Sequence, residues 1–238
     1  SPERLRSQNY CTNLSVLRRS LVDDVGGFRR GFDGSQDHDL ILRVTERART
    51  VHHLPAVLYH WCITPGSAAG DADAKPYARE AGRRAVEEHL ARLGIEASVE
   101  QLAIPGHYRS RRRLAAPPTV SVVIPTVGTA RPVWGIERPL VLGAVRSVLD
   151  VTAHPDVEVV VVADPQTPAD VLAALGELDC TVIEPGGEFN FSARCNDGAA
   201  ASSGDALLFL NDDVLVEQPD WLDVMVGFLA ERDVGAVG

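Results

Sequence analysis

The sequence predicts an α/β protein whose C-terminal half is a mostly parallel sheet with helices on both faces. Residues 120–124, 157–162 and 206–210 are continuous apolar runs rich in β-branched and bulky side chains, the pattern of strands buried on both faces. Segments of helical character alternate with them at 140–150, 168–178, 192–202 and 221–230, and such alternation marks parallel strands joined by crossovers. In sheets of this kind ligands bind beyond the carboxyl ends of the strands. The residues just after each run, Pro125 and Thr126, Asp164, and Asn211-Asp212-Asp213, are therefore where chemistry is expected.

Taken in order, residues 1–65 hold short mixed elements. Residues 13–19 suggest a strand running into a short helix, and Gly26-Gly27 a turn needing backbone freedom. From Asp37 the spacing of Leu40, Ile41, Val44 and Ala48 gives a helix with one apolar face, and 51–59 reads as extended. Residues 66–117 open on a Gly/Ala/Asp-rich loop. An amphipathic helix follows over 75–93, with Tyr77, Ala81, Ala85, His89 or Leu90, and Leu93 near helical spacing and Gly94 as its stop. The remainder, ending in RSRRRLAAPP, reads as a linker into a new domain at 118–238. There 120–124 is a strand closed by Pro125, 180–183 a further short strand, and 192–202 a helix that Ser192 can cap.

The 238 residues suffice for one large domain or two small ones, with a hydrophobic share of 45% and a charged share of 24%. The formal charge of −10 argues against nucleic acid as the main partner. Arg109, Arg111, Arg112 and Arg113 cluster, a run that reads first as a solvated face but could touch phosphate or an anionic membrane. Cys11, Cys62, Cys180 and Cys195 show no metal-ligand spacing and read as reduced thiols of a cytoplasmic protein. No apolar run reaches about 18 residues, so no transmembrane helix is expected. Both ends read as those of an excised piece of a longer chain.

Four constellations could carry chemistry. Clustered carboxylates at the end of an apolar strand repel one another unless a cation lies between them, and Asn211-Asp212-Asp213 suits Mg²⁺ or Mn²⁺ shared with substrate phosphates. The bland alternative is a polar turn. At 192–198, Arg194 and Asn196 fall in the first turns of a helix whose N-terminus suits a diphosphate; otherwise the helix is simply capped. Asp37 and Asp39 open another helix, where one could act as a general base or both merely complement the helix dipole. His60 follows an extended segment, and the histidines lack a zinc pattern.

Together these residues resemble family 2 glycosyltransferases, the inverting enzymes of GT-A, Rossmann-like fold, especially those of bacterial O-antigen and surface polysaccharide. VSVVIPT at 120–126 is similar to the family's opening strand, EVVVVAD at 158–164 to its second, and FNFSARCNDGAAASSGDALLFLNDDVLV at 189–216 to the helix and strand leading to its DxD-type motif. CTNLSVLRRSLVDDVGGFRRGFDGSQDHDLILRV at 11–44 resembles the acceptor-side half of the same family, and LYHW at 58–61 the segment that closes it.

The resemblance implies a donor site formed by Pro125, Thr126, Asp164, Arg194, Asn196, Asn211 and Asp212, with Asp164 on the nucleoside. It implies Asp213 and His60 as metal positions, Asp37 as catalytic base, and Mg²⁺ or Mn²⁺ as cofactor. Asn211 stands where the first acidic residue of the DxD-type motif is expected. The implied reaction passes a sugar from a UDP- or dTDP-sugar to a saccharide or lipid-linked acceptor with inversion. The implied location is cytoplasmic, including the inner face of the membrane as a peripheral protein. The order of the pieces implies the acceptor-side end of one module at 1–65, a helical linker at 66–117, and the donor-side start of a second module at 118–238. A non-catalytic nucleotide- or polysaccharide-binding module is the alternative. An NAD enzyme would want GxGxxG after Ile124, where the sequence reads PTVGTA.

Overall fold

The computed structural model describes residues 1–12, 14–60, 76–231 and 233–238. Asn13, Trp61, Cys62, Lys75 and most of the loop expected after residue 65 lie outside the described residues. The chain divides into two units, Ser1–Arg113 and Leu114–Gly238.

The first unit contains α1 (Pro2–Ser7), α2 (Arg19–Asp24), α3 (Gln36–Arg47), α4 (Pro76–Arg92), β1 (Ala97–Gln101) and β2 (Tyr108–Arg112). Its core joins Leu5, Phe32, Ile41, Leu42, Ala85, Val86, Leu90, Val99 and Tyr108. The residues expected to form only a connector thus supply α4 and the antiparallel β1–β2 hairpin to the same core as α3. The hairpin escapes sequence reading because ASVEQ and YRSRR are polar and only Val99 and Tyr108 are buried. The expected strand before α2 is absent among the described residues, and 51–59, expected to be extended, is exposed and forms no strand, with the Ala56 amide turning back to the Leu54 carbonyl at 2.9 Å.

In α3, Leu40, Ile41 and Val44 are buried as expected, and so are Asp39 and Arg43. Asp39 accepts from Arg43 Nη2 at 2.6 Å and is also paired with Arg29, while Arg43 reaches the carbonyls of Val25 at 2.6 Å and Gly27 at 2.7 Å. A helix face that looks half polar therefore buries a closed ionic network that holds the preceding loop.

The second unit holds β3 (Val120–Thr126), β4 (Ala130–Val133), β5 (Ile136–Pro139), α5 (Leu140–Val151), β6 (Val157–Ala163), α6 (Ala169–Leu175), β7 (Thr181–Ile183), α7 (Phe191–Ala201), β8 (Ala206–Phe209) and α8 (Trp221–Phe228). Its main sheet has the order β7-β6-β3-β8 with every pairing parallel. Val120, Val122, Ile124, Val159 and Val161 pack there against Val141, Val145, Val148, Leu175 and Leu222 from the helices. On the other face α7 lies so close that a Cβ on Gly198 would stand 2.3 Å from a methyl of Val123.

Two local expectations change. The cap of α7 is Asn190, whose side chain accepts from the Ala193 amide at 2.9 Å, while Ser192 lies inside the helix. And β3 runs through Pro125 rather than stopping before it. Position 125 faces the β8 side, where the ladder has already ended at Val123↔Phe209, so its missing N–H breaks no sheet bond. Towards β6 the register continues to Thr126↔Ala163.

Candidate nucleotide-sugar site

The chain leaves β3 towards β6 and β7 on one side, and β8 lies on the other. The boundary between β3 and β8 is the topological switch point of the sheet, where a crevice opens at the carboxyl ends. A cleft of about 230 Å³ occupies this position. Its floor is Pro125 and Thr126, one wall is Asn211, Asp212 and Asp213, and Phe189 and Phe191 supply an apolar wall. The early end of pairing at Pro125 lets the two strands part here.

Thr126 is buried and its hydroxyl organises the floor. It donates to Asp212 Oδ2 at 2.6 Å and accepts from the Gly128 amide at 2.9 Å. Asp212 is half-buried and held, whereas Asp213 is exposed at the cleft. Two carboxylates and an amide carbonyl form an oxygen-only donor set, which fits Mg²⁺ or Mn²⁺. Among the described residues no group of three or more His, Cys, Asp or Glu could hold a metal by itself. A cation here would need phosphate oxygens from a ligand, the usual arrangement for Mg²⁺.

Asp164 and Arg194 meet, which sequence reasoning did not anticipate. Both are 2% exposed. Arg194 donates to Asp164 Oδ2 from Nη2 at 2.9 Å and from Nε at 3.3 Å. Its guanidinium also reaches the carbonyls of Gly186 at 3.2 Å and Gly187 at 3.3 Å. Asp164 further accepts from the Gln166 amide at 3.1 Å. Arg194 is thus not a solvated cation at a helix end. Buried in the first turn of α7, it ties the end of β6 to the loop before Phe189 and Phe191. Asn196, two residues further on and on the opposite side of the helix, is exposed.

The two remaining expected residues, Asp37 and His60, belong to the first unit. Asp37 is half-buried in the first turn of α3, and its Oδ2 accepts from Asn9 Nδ2 at 2.9 Å. Burial pushes the neighbouring Asp39 carboxyl up, but the hydrogen bonds and charges of Arg29 and Arg43 outweigh it and hold it below the usual range. Of the two carboxylates, Asp37 is the one a substrate can reach. His60 is exposed. Sequence reasoning missed Phe189 and Phe191 as cleft walls; two aromatics flanking the helix cap in FNFS were the available signal.

Three of the four arginines at 109–113 form local pairs, and Arg113 is exposed. Arg109 and Arg111 donate to Glu100 at 2.7 and 3.0 Å, and Arg112 to Glu3 at 2.8 Å. Cys11, Cys180 and Cys195 are free thiols, and burial raises all three above the ordinary value. Among the described residues no helix is long and apolar enough to cross a membrane.

A doubly wound α/β unit with clustered carboxylates at its switch point is defined by this geometry. Through residues 121–238 the chain belongs to the family "Glycosyl transferase family 2". It is 42% identical over 238 residues to the protein y4gI of Sinorhizobium fredii, covering 97% of this chain and 25% of that one. It is 37% identical over 242 residues to the O-antigen biosynthesis protein RfbC of Myxococcus xanthus, covering 100% of this chain and 18% of that one. The chain thus spans a quarter or less of the relatives it matches. Among solved structures, the mannosyltransferase PcManGT of Pyrobaculum calidifontis, in complex with GDP-Man and Mn²⁺, aligns with a TM-score of 0.43 at 20% identity, covering 69% of this chain and 44% of that one.

Proposed function

We propose that the second unit binds a nucleoside-diphosphate sugar in the β3/β8 cleft and presents it for transfer, with inversion, to a hydroxyl of a saccharide or lipid-linked acceptor. The observation that carries this reading is the placement of Asp212 and Asp213 at the switch point, one fixed by Thr126 and the other open to the cleft. Asp213 and the remaining oxygen of Asp212 would hold Mg²⁺ or Mn²⁺. When bound, that cation supplies charge neutralisation for the departing nucleoside diphosphate. Thr126 sets the orientation of Asp212. Asp164 and Arg194 shape the pocket for the nucleoside, and Asn196 is available to its polar groups. Phe189 and Phe191 exclude water from one side of the cleft.

In this reading Asp37 is the base that takes a proton from an acceptor hydroxyl, and His60 a metal position, in the module to which the first unit belongs. The chain then joins the acceptor-side part of one transferase to the donor-side part of a second. UDP- and dTDP-sugars are the donors we propose.

Calorimetry with UDP and dTDP, with and without Mn²⁺, tests the donor site. Metal-dependent binding that falls at least tenfold in Asp213→Ala is expected; undiminished binding in that variant would refute it. A second reading, a nucleotide-binding module without transfer activity, is favoured by Asn211 in place of an acidic residue. Sugar transfer by the parent chain that is lost in Asp213→Ala decides against it.

A further inference from the structure

Between the cleft floor and α5, residues 130–139 form a hairpin with no counterpart in the expectations from sequence. β4 and β5 pair antiparallel in the register Arg131↔Arg138, Pro132↔Glu137 and Val133↔Ile136, closed by the two residues Trp134 and Gly135. Both turn residues have positive φ, +50° at Trp134 and +81° at Gly135, the backbone of a type I′ turn. Such turns favour Asn or Gly at the first position, and a large aromatic there works against folding. Trp134 is nevertheless 82% exposed and Ile136 56% exposed, so neither side chain is held in a core.

The second peculiarity lies one register step behind the tip. Arg131 and Arg138 stand directly opposite each other on one face of the hairpin. Like charges in that position repel. Arg131 reaches only the Ala130 carbonyl, at 3.1 Å, neither arginine has a carboxylate partner among the described residues, and the intervening Glu137 belongs to the opposite face with Pro132. An apolar tip, Val133, Trp134 and Ile136, thus sits in front of a paired basic collar that lacks an anion. At its base the Leu140 amide donates to the Thr129 carbonyl at 3.0 Å, and Thr129 lines the cleft.

We propose that this hairpin is a membrane-contacting element: Trp134 and Ile136 enter the lipid–water interface of an anionic bilayer, and Arg131 and Arg138 share its phosphate headgroups. Trp is favoured at that interface because its ring is apolar and its N–H polar, and arginines just behind an apolar tip reach the phosphates. The chain's net charge of −10 opposes general attraction to such a surface, so contact is confined to this tip. In the basic run, by contrast, Arg109, Arg111 and Arg112 are engaged by Glu100 and Glu3. The inference rests on the lipid-linked acceptor of the proposed function, because the hairpin is anchored on the donor cleft and brings it to the membrane surface.

Vesicle co-sedimentation of the whole chain tests it, with phosphatidylcholine alone and with phosphatidylcholine containing phosphatidylglycerol. Binding to the anionic vesicles, weakened by salt, is expected. Each of Arg131→Ala and Arg138→Ala should weaken it about fivefold. Trp134→Asn should weaken it about tenfold, yet keep or raise thermal stability because Asn-Gly suits the turn, so lost binding cannot be ascribed to misfolding. UDP binding, measured on the same variants, should be unchanged; its loss in the parent chain would count against the donor site and not against the hairpin. No preference for anionic vesicles, or full binding by Trp134→Asn, overturns the proposal. So does Trp134-dependent capture of a soluble acidic oligosaccharide without vesicle binding, which would make the tip a saccharide platform.

Discussion

Replacing Arg194 by Met should be the most damaging single change in the second unit. The side chain is 2% exposed, and its partner Asp164 is equally buried. Removing the guanidinium leaves the Asp164 carboxylate with the Gln166 backbone amide, at 3.1 Å, as its remaining donor. Breaking one side of a buried ion pair costs about 3–5 kcal/mol, mostly because the other charge stays buried. Asp164→Asn should cost less, about 1–3 kcal/mol, since Arg194 keeps the carbonyls of Gly186 and Gly187 and lies 3.5 Å from Asp197. The double variant should then cost less than the sum, with a coupling of about 1–3 kcal/mol. With two units, unfolding needs a probe specific to the second. Trp221, whose Nε1 donates to Thr152 at 3.0 Å, serves in a background carrying Trp61→Phe and Trp134→Asn. Urea unfolding followed by its fluorescence gives each term. A loss below about 1 kcal/mol for Arg194→Met, or strict additivity in the cycle, would refute the view that this pair is structural. UDP affinity should fall as well, because the Gly186-Gly187 loop leads directly to Phe189 and Phe191.

Gly198→Ala should destabilise the second unit by about 1–3 kcal/mol, since the added methyl meets Val123 and Val162; equal stability by urea unfolding would show that α7 can move outward. Thr126→Val should keep the fold and lower metal-dependent UDP binding several-fold, because Asp212 loses its 2.6 Å donor; unchanged calorimetry would show that Asp212 needs no positioning. The first unit should weaken on acidification. Burial lowers His38 and His89 below the ordinary value of 6.5, against the Leu5 carbonyl and Glu46 respectively. Below pH 6.5 the unfolded chain binds protons that the folded unit refuses, so stability is full above that pH and is lost towards the depressed folded values. A melting temperature independent of pH between 7 and 5 would contradict this.

How much of this could be read in the sequence follows the physics of each element. Strands buried on both faces announce themselves, and the runs around Val122 and Val160 were placed within a residue or two; the run at 206–210 is also a strand, but as the last in the sheet it exposes Leu207 and Phe209 instead of burying both faces. Helices with one apolar stripe were equally visible, as for α4 and α5. Hairpins were not: β1–β2 is half-exposed and polar, and β4–β5 carries two prolines and an aromatic turn that hides its type I′ geometry. The candidate residues stand out in the sequence because carboxylates after an apolar strand have few ordinary uses. Their pairings were not legible, because Asp164 and Arg194 are 30 residues apart and meet only once β6 and α7 pack together.

The same dependence on packing separates Asp37 from Asp39. Both occupy the first turn of α3, where the helix dipole stabilises either charge, and sequence alone gives no reason to prefer one. Two residues along a helix turn the side chain by more than half a circle, so one carboxylate must face the core if the other faces out. Arg29 and Arg43 close on the inward one, and its depressed titration records that engagement. A carboxylate held by two guanidiniums is a poor proton acceptor, because its protonation would break both contacts. The outward carboxylate has a single amide donor, from Asn9, and no guanidinium partner among the described residues. Asp37→Asn should therefore preserve the stability of the first unit to within about 0.5 kcal/mol, while Asp39→Asn should cost several times more. If the two substitutions proved equally disruptive, Asp37 would be structural too, and the case for it as a base would fail.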